Sequence, residues 1–210
     1  MEQSVAKRML YYLAELERWN RRINLTAVPA DEAWHRHIEE AVALHDATAP
    51  ARGARVVDVG AGGGVPGIPM AILQPDLHVT LLDSDQRKAA FLTHVSGALR
   101  LDNVEVLVAR AEDVAHREGM RESFDLAVSR ALAPPAVMCE LTLPLVRVGG
   151  ATAALVGDAA EAARECASAA AALGGARPRA AHGDVLLVDK LQPTDARYPR
   201  RAGVPLRKPL

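Results

Sequence analysis

The stretch Val56-Val57-Asp58-Val59-Gly60-Ala61-Gly62-Gly63-Gly64-Val65-Pro66-Gly67 constrains the fold more than any other part of the chain. A β-branched run ends near an acid, passes into a glycine cluster and reaches a proline, the pattern of a buried strand, a tight turn and a helix start. Glycines accept positive φ and let backbone N–H groups approach a ligand that a Cβ would block. Asp58 puts a carboxylate at the carboxyl end of the strand, where it repels a phosphate and suits a ligand with a cationic amino group. Gly62–Gly67 matches the dinucleotide pattern G-x-G-x-x-G by letter, and a turn that needs only positive φ would use the same residues. No G-x-x-x-x-G-K-[ST] occurs, which excludes a P-loop.

A second acid extends the pattern. His78–Asp83 reads as the next strand, and Asp83 follows the glycines by about 20 residues, where a βαβ nucleotide fold places its ribose-binding carboxylate. Asp83 could equally cap the helix that starts near Ser84-Asp85. Beyond this unit strands and helices alternate. Strands are expected at 55–59, 78–82, 104–108, 124–129 and 150–156, and helices at 66–74, 84–100, 111–118, 135–147 and 158–173. Such alternation implies a parallel sheet with helices on both faces. Residues 177–182 and 185–190 flank Gly183-Asp184 and read as a hairpin on the sheet edge, which makes seven strands.

Ahead of the sheet, residues 4–23 put Val5, Met9, Tyr12, Leu16 and Trp19 on one helical face, and Asp31 can cap a second helix bearing Trp34, Ile38, Val42 and His45 inward. The chain of 210 residues then divides into a helical extension, residues 1–50, and one α/β domain with a basic tail, residues 51–210. A net charge of −1 argues against a strongly basic protein. Yet Arg197, Arg200, Arg201, Arg207 and Lys208 crowd the tail, and Lys7, Arg8, Arg18, Arg21 and Arg22 the first helix. Cationic ends on a neutral body suggest a local polyanion site; solvated charge and a frayed tail would read the same. Cys139 and Cys166 lie on apolar helix faces without metal-ligand spacing, as buried thiols of a cytoplasmic protein. No signal peptide or long apolar run is visible.

The carboxyl ends of the strands of a doubly wound sheet hold its ligand. Here they supply Asp58 and the glycines, then Asp83, then Arg110-Ala111-Glu112, then Ser129-Arg130-Ala131. Together these can hold an amino-acid part, a ribose and an adenine, the three parts of S-adenosylmethionine. Nothing supplies a nucleophilic triad or a metal cage.

These residues, with others along the chain, resemble the RsmG (GidB) family, guanine-N7 methyltransferases of bacterial small-subunit ribosomal RNA. The matching residues are Trp19-Asn20, Asn24-Leu25-Thr26, Arg36-His37-Ile38, Asp58 to Pro69, Leu82-Asp83-Ser84, Arg87-Lys88, Phe91-Leu92, Arg110-Ala111-Glu112, Phe124-Asp125, Ser129-Arg130-Ala131, Pro144-Leu145, Gly149-Gly150 and Arg197 to Pro205. The resemblance implies a Rossmann-like S-adenosylmethionine-dependent fold. It implies methylation of one guanine, at the 527 position of the decoding-region loop of 16S rRNA, and cofactor contacts at Gly60, Val65, Ala111, Glu112 and Arg130. The residues themselves add Asp58, Gly62 for close backbone approach and Asp83 for the ribose. The partner is then 16S rRNA or the 30S subunit, with no membrane and no metal, and the protein is expected to be a monomer.

The chain departs from the family pattern in three places. Leu155-Val156-Gly157 stands where Leu-Lys-Gly is common, Glu39-Glu40 where Asp-Ser is usual, and the helical extension is short.

Guanine N7 carries a lone pair and no proton, so attack on a sulfonium methyl needs no general base. Arg130, His37 and Asn24 are the candidates near the chemistry. Arg130 could grip the cofactor carboxylate or face the RNA, and His37 could be a packed helix residue. With only two Trp, three Tyr and two Phe, base stacking falls to arginine planes and to Tyr198 among Arg197, Arg200 and Arg201; the same tyrosine could anchor the tail. Two other readings share parts of this plan, a nicotinamide-dependent oxidoreductase and a non-catalytic cofactor-binding ribosome assembly factor.

Overall fold

The strand ends fall on one edge because five strands run in parallel. In the computed structural model, which describes residues 3–182 and 184–210, these are β1 (Arg55–Val59), β2 (His78–Asp83), β3 (Val104–Val108), β4 (Phe124–Arg130) and β5 (Val146–Leu155). Two more strands, β6 (Arg179–Ala181) and β7 (Val185–Asp189), complete a seven-stranded sheet in the order β3-β2-β1-β4-β5-β7-β6. β7 is antiparallel to both β5 and β6, the edge hairpin that the sequence implies; Gly183 of its turn lies outside the described residues. A fully parallel nicotinamide-binding sheet ends in a parallel sixth strand, so β7 separates this fold from that one. The register sets Asp58 beside Leu81 and Val128, and Arg130 beside Leu155. The order reverses between β1 and β4, where ligands of open α/β sheets bind.

Alternation along the strands gives the sheet two apolar faces. Val56, Leu81 and Val128 pack with Ile68, Phe91 and Tyr12 on one side. These partners come from α3 (Gly67–Leu73), α4 (Gln86–Ala98) and α1 (Gln3–Asn20). A π-helical turn, Trp34–Glu39, leads into α2 (Glu40–Thr48) and adds Ile38 to the same core. Val57, Leu82 and Ala127 face the other way, toward α5 (Ala111–Val114) and α6 (Pro135–Thr142). Met138, Cys139 and Cys166 continue that layer under α7 (Ala159–Glu165) and α8 (Ala167–Ala172), and both cysteines are buried free thiols.

Five elements differ from expectation. The helix expected to run to residue 147 stops at Thr142, because Pro144 has no N–H to continue it and forces a 3-10 turn over Leu143–Leu145. β5 therefore begins at Val146, and it bends at Gly149 (φ +85°) before its parallel pairing resumes. The helix expected over 111–118 ends at Val114, and the one over 158–173 is interrupted at Cys166. Asp31 caps nothing; Ala33 precedes the π-helical turn without a side-chain cap.

The basic tail is anchored rather than frayed. Arg121 donates to the carbonyls of Thr194 (2.7 Å) and Tyr198 (2.8 Å), and His116 Nε2 bonds the Pro199 carbonyl at 2.8 Å. Tyr198 is buried against the Met138 layer. Arg200 grips Glu140 three times, through its backbone N–H and its Nε, both at 2.8 Å to Oε1, and through Nη2 to Oε2. The short helix α9 (Val204–Arg207) closes the chain. Glu140 is only 1% exposed along its side chain, so deleting its partner leaves a buried carboxylate uncompensated. Arg200→Gln is expected to cost about 3 kcal/mol in urea unfolding, whereas Arg201→Gln, at an exposed position, leaves the midpoint unchanged.

Candidate functional site

The turn after β1 is held from three sides. From below, Asp58 Oδ2 accepts the Gly67 N–H at 2.8 Å and so caps α3 from the strand. From the side, Asp83 at the end of β2 accepts the Gly62 N–H through Oδ2 and the Asp85 N–H through Oδ1, both at 2.8 Å. From above, the buried Tyr12 hydroxyl of α1 donates to the Gly63 carbonyl at 2.6 Å. Gly60 sits at φ +72°, and a Cβ there would lie 2.6 Å from Leu132 Cδ1. The conformation is what calls for glycine here, and an added side chain would in addition displace the end of Leu132.

Three cavities meet around this turn and the neighbouring Arg130–Leu132 segment. One, of about 120 Å³, lies between Gly60, Asp83, Ala111 and Glu112, with Leu132 and Pro205 completing its wall. A second, of about 390 Å³, runs over Gly60–Gly63 and Val65 to Thr26, His37 and Arg130. A third, also about 390 Å³, opens beyond Arg130–Leu132 toward β5 and α7. Gly60 borders the first two, Arg130 and Ala131 the last two, and Leu132 the first and third. At this junction Ala131 adopts φ +49°, the kind of strained backbone that clusters at active sites.

Arg130 is fixed by the helical extension. Its Nη1 donates to the Arg36 carbonyl and to His37 Nδ1 (2.9 Å), and Nη2 lies 3.5 Å from Glu40 Oε2. The π-helical turn assists, because the Glu40 N–H reaches back to the His35 carbonyl instead of to that of Arg36. An arginine can only donate, so His37 Nδ1 accepts and its Nε2–H faces Thr26 Oγ1 at 3.2 Å. Burial, then the charges of Arg130 and Arg36, push the imidazole down to about 4, so it is neutral at physiological pH. Asn20 completes the chain by accepting the Leu25 and Thr26 N–H groups at 2.8 and 3.0 Å.

Of the residues singled out in the sequence, Gly60, Gly62, Val65, Asp83, Ala111, Glu112 and Arg130 all border the first two cavities. Asp58 does not. It is sealed beneath the turn, with Oδ1 unpartnered among the described residues, and it shapes the loop rather than touching the cavity. Asn24 is exposed on the loop that Asn20 organises, and it borders none of the three cavities. His37 is a packed positioning residue. Tyr198 and Arg200 are turned into the fold, while Arg197 and Arg201 remain exposed. Tyr12, Glu40, Leu132 and Pro205 were given no site role from the sequence. Tyr12 had appeared only as one member of an apolar helix face, Glu40 only as a departure from the family pattern and Pro205 only as the end of a matching stretch, while Leu132 carries no local motif.

Strand order, glycine turn and the acid ending β2 define a Rossmann-like S-adenosylmethionine-dependent methyltransferase. The fold is shared with solved structures at low identity. A SAM-dependent O-methyltransferase from Thermotoga maritima has a TM-score of 0.58 at 15% identity, covering 88% of this chain and 72% of that one. The T. thermophilus 16S rRNA N2 G1207 methyltransferase, solved with AdoMet and guanosine, has a TM-score of 0.51 at 21% identity, covering 72% of this chain and 40% of that one. Sequence comparison is narrower. The family model GidB, rRNA small subunit methyltransferase G, matches residues 5–184. Proteins named ribosomal RNA small subunit methyltransferase G are 38% identical in Moorella thermoacetica, over 95% of this chain and 88% of the relative, and 41% identical in Lactobacillus delbrueckii subsp. bulgaricus, over 95% and 89%. The chain belongs to the rRNA small subunit methyltransferase G family.

The buried Asp58 gives the turn a pH signature. Burial is the main cause that pushes its carboxyl up from 3.8 to about 7, with the Asp83 charge adding and the Gly67 hydrogen bond opposing. The folded protein therefore holds a proton that the unfolded chain has released. The contribution of Asp58 is fully present below pH 4 and is lost as pH rises through 7. Relative to Asp58→Asn, the wild-type unfolding free energy should fall from pH 5 to about pH 7 and level off above it. A constant difference over that range would remove the buried carboxylic acid from the account.

Proposed function

We propose that the chain transfers a methyl group from S-adenosylmethionine to N7 of a single guanine of bacterial 16S rRNA, the 527 position of the decoding-region loop. It acts as a cytoplasmic monomer on the RNA or on the 30S subunit. The reading rests on one observation, the convergence of three cavities on Gly60 and Arg130–Leu132 at the switch between β1 and β4. Two of them suit the two ends of the cofactor. Asp83 uses one lone pair of each oxygen on the turn and keeps others for ribose hydroxyls. Ala111 and Glu112 border the adenine end, and Gly60–Gly63 with Val65 border the methionine end, under Arg130.

The cofactor supplies a sulfonium-activated methyl. When bound it would offer that methyl to the N7 lone pair, with the N7–CH3 bond replacing the S–CH3 bond and the positive charge going to the base. No proton moves, so a neutral His37 held as a hydrogen-bond acceptor fits better than a titrating one. What the protein contributes is alignment and a site tolerant of moving charge. Arg197 and Arg201, exposed on the anchored tail, are the RNA-facing cations of this reading.

The test is methyl transfer from labelled S-adenosylmethionine to 30S subunits from a strain lacking the protein, with 7-methylguanine mapped by borohydride and aniline cleavage. One cleavage site supports the proposal. Cofactor binding with no transfer would favour a ribosome assembly role, and preferential NAD binding an oxidoreductase. Gly60→Val is expected to weaken S-adenosylmethionine binding at least about 100-fold in calorimetry, roughly 2.7 kcal/mol, while circular dichroism stays near normal.

A further inference from the structure

The third cavity has the wrong charge for a phosphate. Glu40, Asp158, Glu161 and Glu165 line it, against Arg36 and Arg130 alone. Both arginines are already spoken for by Glu40, at 2.7 Å from Arg36 and 3.5 Å from Arg130. Glu161 and Glu165 lie four residues apart on α7, on one face of the helix, and their carboxylates make no ion pair or hydrogen bond among the described residues. An enzyme that works on a polyanion has thus built an acidic wall directly beside its reaction centre.

The floor carries a second sign of a ligand. Ser129 is 1% exposed and its Oγ has no hydrogen-bond partner among the described residues. It stands opposite Ala154 in the β4–β5 register, on the face with Met138 that lines the cavity. A buried hydroxyl without a partner costs free energy unless something reaches it. Around it the cavity is apolar, through Leu132, Met138 and Val156. Val156, where a lysine is common in the family, leaves that floor uncharged.

Resting on the methyltransferase reading above, we infer that the cavity over β4, β5 and α7 receives the target guanine, flipped out of the RNA. The carboxylates of Glu161 and Glu165 read its N1–H and N2–H2 donors. A flipped base is recognised on its Watson–Crick edge between apolar side chains. Among the standard bases, only guanine sets two donors side by side there for a carboxylate, which accepts only. The order of groups around guanine fits the order of the strands. N7 is needed where the cavities join, at Arg130–Ala131. O6 is adjacent and meets the Ser129 hydroxyl as donor. N1 and N2 follow away from β1, toward β5 and α7. The same wall favours the product, since methylation leaves positive charge on the base.

The experiment compares 16S RNA bearing guanine or inosine at the target position, reconstituted into 30S particles. Inosine lacks the N2 amino group and keeps N7. Wild type should methylate inosine about 10- to 100-fold less efficiently in kcat/KM, the worth of one charge-assisted hydrogen bond. The double variant Glu161→Gln, Glu165→Gln should lose a similar factor on guanine and should treat the two bases nearly alike, with an unchanged Kd for S-adenosylmethionine. Val156→Trp, which fills the cavity, should abolish transfer and again leave cofactor affinity intact. If wild type methylates guanine, but the double variant keeps both its rate and its guanine-to-inosine ratio, the acidic wall does not read the base. Undiminished transfer by Val156→Trp would remove the base from the cavity altogether. No methylation of guanine by wild type would overturn the underlying function instead, so the two failures are distinguishable.

Discussion

The carboxylate of Asp83 holds the site together. It ends β2 and grips the glycine turn of β1 through Gly62, while its other oxygen orders the entry to α4 through Asp85. Both strands are thereby closed by one side chain whose remaining lone pairs face a cavity. Fixing the turn matters because Gly60, Gly62 and Gly64 all sit at positive φ, which leaves the segment little rigidity of its own. Tyr12 and Asp58 add clamps from above and below, so the loop is hydrogen-bonded to the fold on three sides.

The helical extension serves the same end at the opposite wall. Asn20 shapes the loop, Thr26 meets His37, and His37 holds Arg130. The chain of contacts spans the distance from α1 to β4, and every member is neutral except the arginine at its end. A neutral imidazole is a better holder here than a charged one, because it can accept the Arg130 N–H and adds no repulsion. Its burial on the π-helical turn is what keeps it so.

The core of the fold was legible in sequence because it is local. Strand, glycines and proline follow one another from Val56 to Gly67, and Asp83 declares itself by its distance from them. The residues that border the first two cavities could be named for the same reason, since most sit at a strand end. What could not be read depends on partners far away in the chain. Arg200 looks like an RNA cation until Glu140, sixty residues earlier, is brought against it. Tyr198 looks like a stacking ring until the Met138 layer covers it. Asp58 points toward a ligand on paper, but the parity of β1 turns it under the loop to cap α3. Pro144 ends α6 early, and the strand that starts two residues later carries an arginine and two glycines in its first half, so only the part from residue 150 onward reads as a strand.

The anchored tail changes what the end of the chain is worth. Pro205 and Leu206 form part of the wall opposite Asp83, and the Gly203 N–H bonds Glu112 at 3.2 Å. These residues lie far beyond β1 in the sequence, but they finish a cavity that begins at β1. Loss of residues 203–206 would leave the seven-stranded sheet complete while unroofing the cavity that Asp83 borders.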